Sequence, residues 1–320
     1  MSGSGLTFLM DELNNFIETK SDPRTSKWLL MSSPAPLLTI VATYLYFCMY
    51  AGPKYMKDRK PFDLKNTIIL YNLVQVFLSV FLVYEGVMGG WFTGYSFTCQ
   101  PVDWSDDPKA VRMAAAVWWY FFCKITELLD TVFFVLRKKN NQISFLHLYH
   151  HSMMPVCAWV GTRFLPGGHG TLLGIINSFI HIIMYGYYFV ASLGPQYQKY
   201  LWWKKHLTSM QMVIQNIILT CSFKNTIQFC IIFVHNMQNL FRECNYPKVI
   251  TFLLGTQAFF FFCLFGNFYY NSYVKTRPAT EKKPLGNTAV NGTANGSTVK
   301  EINANHLNGK IANGILKKEI

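Results

Sequence analysis

Apolar positions along the chain gather into long runs near residues 29–50, 64–88, 113–136, 145–164 and 171–193, a sixth beginning near Leu207, and a last at 249–273. Each approaches the ~20 residues that a helix needs to cross a hydrocarbon core of ~30 Å. The pattern predicts an all-α polytopic membrane protein of seven transmembrane helices. Polar residues between the runs alternate in character. Lys54, Lys57, Arg59 and Lys60 follow the first run, Arg137, Lys138 and Lys139 the third, Lys199, Lys204 and Lys205 the fifth, and Lys275, Arg277, Lys282 and Lys283 the last. The intervening loops are poorer in base: 90–112 carries Asp103, Asp106 and Asp107, and 164–170 has no Lys, Arg, Asp or Glu. Because Lys and Arg concentrate on the cytosolic side, the alternation predicts a luminal N-terminus and a cytosolic C-terminus.

Composition agrees with a membrane chain. Of 320 residues 51% are hydrophobic and 17% aromatic, while 14% are charged, against about 25% for soluble domains. Net charge is +13. The first residues lack the basic, apolar and small-residue order of a signal peptide. Three segments are expected: a luminal stretch at 1–28, a seven-helix membrane domain at 29–275, and a disordered cytosolic tail at 276–320. In the tail Asn-Gly recurs with Thr, Ala and Lys, and no apolar period survives. It closes on Lys317-Lys318-Glu319-Ile320, similar to the dilysine retrieval signal of endoplasmic reticulum membrane proteins. The glycosylation-type triplets at Asn291 and Asn295 are expected to stay unmodified on the cytosolic side. Of eight cysteines only Cys99 and Cys244 fall in loops, both luminal in this topology. The lumen is oxidising, so a Cys99–Cys244 disulfide is expected, with two free thiols as the alternative.

Ionisable side chains at membrane depth are costly and mark functional sites. His147, His150 and His151 fall within about 100° of arc on one helix face, and Lys124, Glu127 and Asp130 within about 120°. The fifth run adds Asn177, His181, Tyr185 and Tyr188, and the sixth opens with Thr208 and Gln211. At 1.5 Å per residue, Asp130 and His150 lie roughly 10 Å inside the cytosolic boundary. A structural ion-pair ladder would also explain the 124–130 face, and a lone interior histidine His181; their shared depth favours a site. Basic loops above imidazoles above apolar walls suit an amphiphile with an anionic head and an apolar tail. Arg137, Lys138, Lys139, Lys204 and Lys205 are placed to hold its phosphates. A fatty acyl-CoA fits that description.

The motifs Lys124-Ile-Thr-Glu127-Leu-Leu-Asp130-Thr131, Gln142-Ile-Ser144-Phe-Leu-His147-Leu-Tyr149-His150-His151, Asn177-Ser-Phe-Ile-His181-Ile-Ile-Met184-Tyr185-Gly-Tyr187-Tyr188 and Thr208-Ser-Met-Gln211 occur in this order. With them the chain resembles the elongation of very long chain fatty acids family over nearly its whole length. One departure stands out. The family pattern Thr-x-x-Gln-x-x-Gln-Phe is broken here, because the second Gln is one place late at Gln215, and Ile227-Gln228-Phe229 follows as though about 14 residues had been inserted after Met212. A continuous helix over 206–236 would be about 46 Å long, so tilting, projection into the lumen or a break near 222–226 is expected.

The resemblance implies a very-long-chain 3-oxoacyl-CoA synthase of the endoplasmic reticulum membrane, an acyltransferase with no cofactor and no metal. Its helices 2–7 would enclose an acyl-CoA channel, and its substrates would be acyl-CoA and malonyl-CoA. Expected partners are membrane lipid, the ketoacyl reductase, dehydratase and enoyl reductase of the elongation cycle, and further elongase subunits; nucleic acid is not among them. The expected mechanism is a transient acyl-imidazole on His150, with His181 assisting and His147 and His151 orienting or polarising. Lys124, Glu127, Asp130, Gln142, Asn177, Tyr185, Tyr188 and Gln211 would support it, Glu127 and Asp130 by holding histidine tautomers. Direct attack without a covalent intermediate is the competing scheme. A di-iron oxygenase would need about eight converging imidazoles, and His169, His206, His235 and His306 are scattered. A seven-span receptor or transporter is disfavoured by the cytosolic depth of the polar groups, and Cys123 as a thiol nucleophile by its apolar setting.

Overall fold

The computed structural model describes residues 15–197, 227–241 and 243–269, together with Glu12. Among these residues every regular element is a helix and there is no strand. Helix α1 (Ala35–Tyr46) runs through a wider π turn, Phe47–Ala51, into Gly52–Met56. Pro53 lacks an N–H and would crowd the carbonyl of Met49, and the wider turn before it accommodates the ring. The helix starts six residues later than the apolar run at 29–50, with Pro36 in its first turn, where a missing N–H costs nothing. Residues 29–31, near the start of that run, instead pack against two other helices. The carbonyls of Leu29 and Leu30 accept the indole N–H of Trp118 (3.1 Å) and Trp159 (2.8 Å), and Met31 is buried among Phe121, Ala158 and Trp159.

Helix α2 (Lys65–Gly86) buries Asn72, Gln75, Ser79 and Leu82, and ends in a π turn, Val87–Trp91. Leu70, Val74, Phe77, Phe81 and Tyr84 stay exposed at helical spacing. That is inverted relative to a soluble helix, whose exposed face is polar. Helix α2 packs most extensively on α6 (Thr171–Leu193). A Cβ at Gly86 would come within 2.5 Å of Ile175, so glycine permits the close approach. Helix α3 (Pro108–Thr126) is capped by Asp107, which accepts the Lys109 N–H, and α4 (Leu129–Leu136) continues it. At their junction Leu128 N–H reaches the Ile125 carbonyl and Asp130 N–H that of Glu127, tightening the single run expected over 113–136.

Helix α5 (Phe145–Phe164) matches its apolar run and packs on α3; α7 (Ile227–Met237) packs on α8 (Lys248–Tyr269). Pro155 inside α5 removes the N–H that would meet the His151 carbonyl. Among the described residues four helical stretches are long and apolar enough to cross a membrane: Ala35–Met56, Lys65–Trp91, Thr171–Leu193 and Lys248–Asn267. At one end Cys99 and Cys244, 145 residues apart, are joined by a disulfide. Beside them His169 and His235 stack with ring centroids 3.7 Å apart. The expectations for Thr208, Gln211, Gln215, Lys204 and Lys205, for the proposed break near 222–226, and for the tail with Lys317 and Lys318 lie outside the described residues.

Candidate active site

Two networks and an imidazole cluster are built where α3, α4, α5 and α6 meet. In the first network Lys124 (2% exposed) and Glu127 (3% exposed) lie near the α3–α4 junction. Lys124 Nζ donates to Glu127 Oε1 (2.8 Å) and Oε2 (3.0 Å) and to Asn177 Oδ1 (2.8 Å), and sits 4.8 Å from the centroid of the Tyr120 ring. Tyr120 OH donates to the same Asn177 oxygen at 3.0 Å. Both lone pairs of that oxygen are thereby used, which leaves the Asn177 NH₂ as a donor. Glu127 Oε1 also lies 3.0 Å from His181 Nδ1. A carboxylate only accepts, so His181 carries its proton on Nδ1 and keeps the Nε2 lone pair. Buried charges persist when paired and hydrogen-bonded, and both conditions hold here.

The second network begins one helical turn later. Asp130 does not extend the ion pair: its Oδ2 accepts from Tyr185 OH at 2.8 Å. Tyr185 is fully buried, with its ring against His181 (5.5 Å) and Tyr71 (6.0 Å). The cluster itself stands on the first two turns of α5, where Ser144 caps the helix by accepting the His147 N–H at 3.2 Å. The His147 and His151 rings are 4.2 Å apart, and those of His150 and His151 5.3 Å. His150 rests against Phe261 of α8 at 5.2 Å. His147 Nε2 is bonded to Thr131 Oγ1 (2.8 Å), which is bonded to Tyr44 OH (2.7 Å). Among the described residues neither His150 nor His151 has a side-chain hydrogen bond.

Lys124, Glu127, Asn177 and His181 are thus joined directly, and Asp130 is joined to Tyr185. Of the two carboxylates expected to hold a histidine tautomer, Glu127 contacts an imidazole and Asp130 contacts a phenol. Gln142 closes a short 3₁₀ turn, Asn140–Gln142, and its side chain makes no hydrogen bond to the cluster among the described residues. Tyr188 is 41% exposed, with its ring 6.2 Å from Tyr185. Lys138 adopts a left-handed backbone (φ 55°) just after α4 and donates to the Lys57 carbonyl at 3.0 Å. Arg137 and Lys139 flank it, half-buried. Residues absent from the sequence reasoning join the site as well. Gln75 donates to Thr126 Oγ1 at 2.9 Å, and the buried spacing Asn72, Gln75, Ser79 was visible as a polar stripe in an apolar run. Tyr120 and Tyr44 gave no such signal, since each is one aromatic among many.

With this geometry in place, comparison with known proteins is decisive. Residues 29–281 match the GNS1/SUR4 family. The chain belongs to that family. It is 49% identical over 269 residues to a very long chain fatty acid elongase of Aedes aegypti, covering 84% of this chain and 71% of the relative. Very long chain fatty acid elongase 7 of Drosophila melanogaster is 46% identical over 292 residues, covering 91% and 83%. Very long chain fatty acid elongase 4 of Homo sapiens is 42% identical over 315 residues, 96% and 94% of the two chains. Family membership and the apolar helices together make this a multi-pass membrane protein.

Proposed function

We propose that this chain is a fatty acid elongase that condenses a long or very long chain acyl-CoA with malonyl-CoA, giving 3-oxoacyl-CoA, CoA and carbon dioxide. The observation that carries the reading is the set of four imidazoles on α5 and α6, two held by neighbours (His147, His181) and, among the described residues, two without such bonds (His150, His151), with His150 and His181 close enough to interact electrostatically. A neutral imidazole is a competent nucleophile near neutral pH. His150 attacks the thioester carbonyl, the carbon–sulfur bond breaks, and the CoA thiolate takes up the imidazole proton. Malonyl-CoA then loses carbon dioxide, its enolate carbon attacks the acyl-imidazole, and the displaced imidazole nitrogen regains a proton from solvent. One proton is consumed overall. His181, with a lone pair on Nε2, assists the transfer. The Asn177 NH₂ stabilises the oxygen on which charge develops.

In this reading seven spans place the N-terminus and the Cys99–Cys244 disulfide in the lumen of the endoplasmic reticulum. The basic loop at Arg137, Lys138 and Lys139, with Lys204 and Lys205, faces the cytosol and holds the CoA phosphates, and the acyl tail runs from the histidines toward the disulfide end. The protein needs no cofactor and passes its product to the reductase and dehydratase of the cycle. The test is purified full-length protein with malonyl-CoA and acyl-CoAs of graded length. Wild type is expected to release CoA and form 3-oxoacyl-CoA, and His150→Ala to lose at least a thousandfold in rate, as when a covalent nucleophile is deleted. A wild type that extends no acyl-CoA refutes the function. Turnover without any acyl-enzyme trapped by rapid quench refutes the covalent step alone.

A further inference from the structure

The hydroxyl chain Tyr44–Thr131–His147 joins the first described long helix to the imidazole cluster, and no step above uses it. Tyr44 is buried on α1 among Cys48, Met56, Leu128 and Val135, and Thr131 is fully buried on α4. Tyr44 OH lies 2.7 Å from Thr131 Oγ1, which lies 2.8 Å from His147 Nε2. Each hydroxyl has one proton, so the chain has two directions. If His147 Nε2–H donates to Thr131, Thr131 donates to Tyr44, and the phenolic proton is left in an apolar pocket with no acceptor among the described residues. A buried donor without an acceptor is costly. If Tyr44 donates to Thr131 and Thr131 donates to Nε2, every hydroxyl proton is used, and the Nδ1–H this creates sits on a half-buried ring rather than in the closed pocket around Tyr44. The second direction wins. It makes Nε2 an acceptor and places the His147 proton on Nδ1, the nitrogen turned away from Thr131.

We propose that Tyr44 and Thr131 are positioning residues that fix the ring orientation and the Nδ1–H tautomer of His147. The role rests on the condensation reading, in which the imidazole cluster around His150 carries the acyl transfer. His151, 4.2 Å away ring to ring, is the nearest imidazole to profit from a fixed neighbour, and the Ser144 cap holds the same residue by its backbone. His147 is thus held by its backbone at the start of its own helix and by its ring from Thr131 of α4, which Tyr44 of α1 backs.

The test measures kcat and KM for both substrates on purified full-length Thr131→Val, Thr131→Ser, Tyr44→Phe and the Tyr44→Phe/Thr131→Val double variant. Thr131→Val keeps the volume and deletes the donor, and kcat is expected to fall about 10–100-fold, the range seen when a partner that orients a functional histidine is removed. KM should stay within about twofold, because no substrate contact is removed. Thr131→Ser restores the hydroxyl and most of kcat. Tyr44→Phe should lower kcat less than Thr131→Val, and the double variant should be no slower than Thr131→Val, because both break the same chain. Unchanged kcat in Thr131→Val, or a Thr131→Ser as slow as it, overturns the positioning role. So does a loss confined to KM. If Thr131→Val fails to fold, Tyr44→Phe at full wild-type kcat overturns it instead. A wild type inactive on every acyl-CoA refutes the condensation reading, and this role with it; active wild type with unaffected variants refutes this role alone.

Discussion

Replacing Glu127 by Gln keeps the shape of the side chain and removes one unit of charge at the centre of the buried network. Three contacts converge on that carboxylate: two from Lys124 Nζ at 2.8 and 3.0 Å, and one from His181 Nδ1 at 3.0 Å. After the exchange the Lys124 ammonium, 2% exposed, keeps the Asn177 oxygen and the Tyr120 face but has no counter-charge. Breaking one side of a buried ion pair costs about 3–5 kcal/mol, because the remaining charge is stranded. At about 2–4 °C per kcal/mol for a large domain, that is a fall in Tm of roughly 6–20 °C. Lys124→Met should cost a similar amount. The double variant Lys124→Met/Glu127→Gln removes both charges and should be more stable than either single variant, which is the signature of a coupled pair. Thermal unfolding of purified protein in one detergent, followed by intrinsic tryptophan fluorescence, reads all four proteins. The reasoning is refuted if the double variant loses the sum of the two single losses, or if neither single variant moves Tm by more than about 2 °C.

Ser144→Ala removes the cap at the turn that carries His147 and should cost about 1 kcal/mol, seen as faster amide exchange over residues 145–149 with no change farther along α5. Cys99→Ser, or reduction of the protein, opens a loop of 145 residues and is expected to cost about 2–5 kcal/mol; equal Tm with and without reductant would contradict that. Burial beside His235 holds the His169 imidazole below its usual range. The unfolded chain therefore binds more protons as pH falls through about 6.5, so His169 withdraws stability on the acid side and withdraws none above its ordinary pKa. Tm is expected to drop between pH 7.5 and 5.5, and His169→Gln to flatten that slope.

Much of this protein was legible from its sequence, because a bilayer simplifies the code. Length and apolarity set the helices at 145–164 and 171–193 to the residue. The same cost of burying charge singled out Lys124, Glu127 and His181, which the structure joins directly, and the His147–His151 cluster, whose rings it brings together. Boundaries failed where backbone chemistry overrides hydropathy. Prolines move the first helix to Ala35, and residues 29–31 pack against two other helices instead. Partner choice was decided only in three dimensions. Helical periodicity puts Glu127 and Asp130 on adjacent parts of one arc, yet Glu127 meets His181 and Asp130 meets Tyr185. A change in helix pitch between them, and the register of α6 against α3 and α4, separate their environments. Tyr44 shows the limit most clearly. A tyrosine in an apolar run has no distinguishing pattern, and its hydroxyl gains meaning from a threonine 87 residues away. Sequence determines which groups must leave the lipid; tertiary packing decides which of them touch, because hydrogen bonds are made across helices whose relative register no single helix encodes.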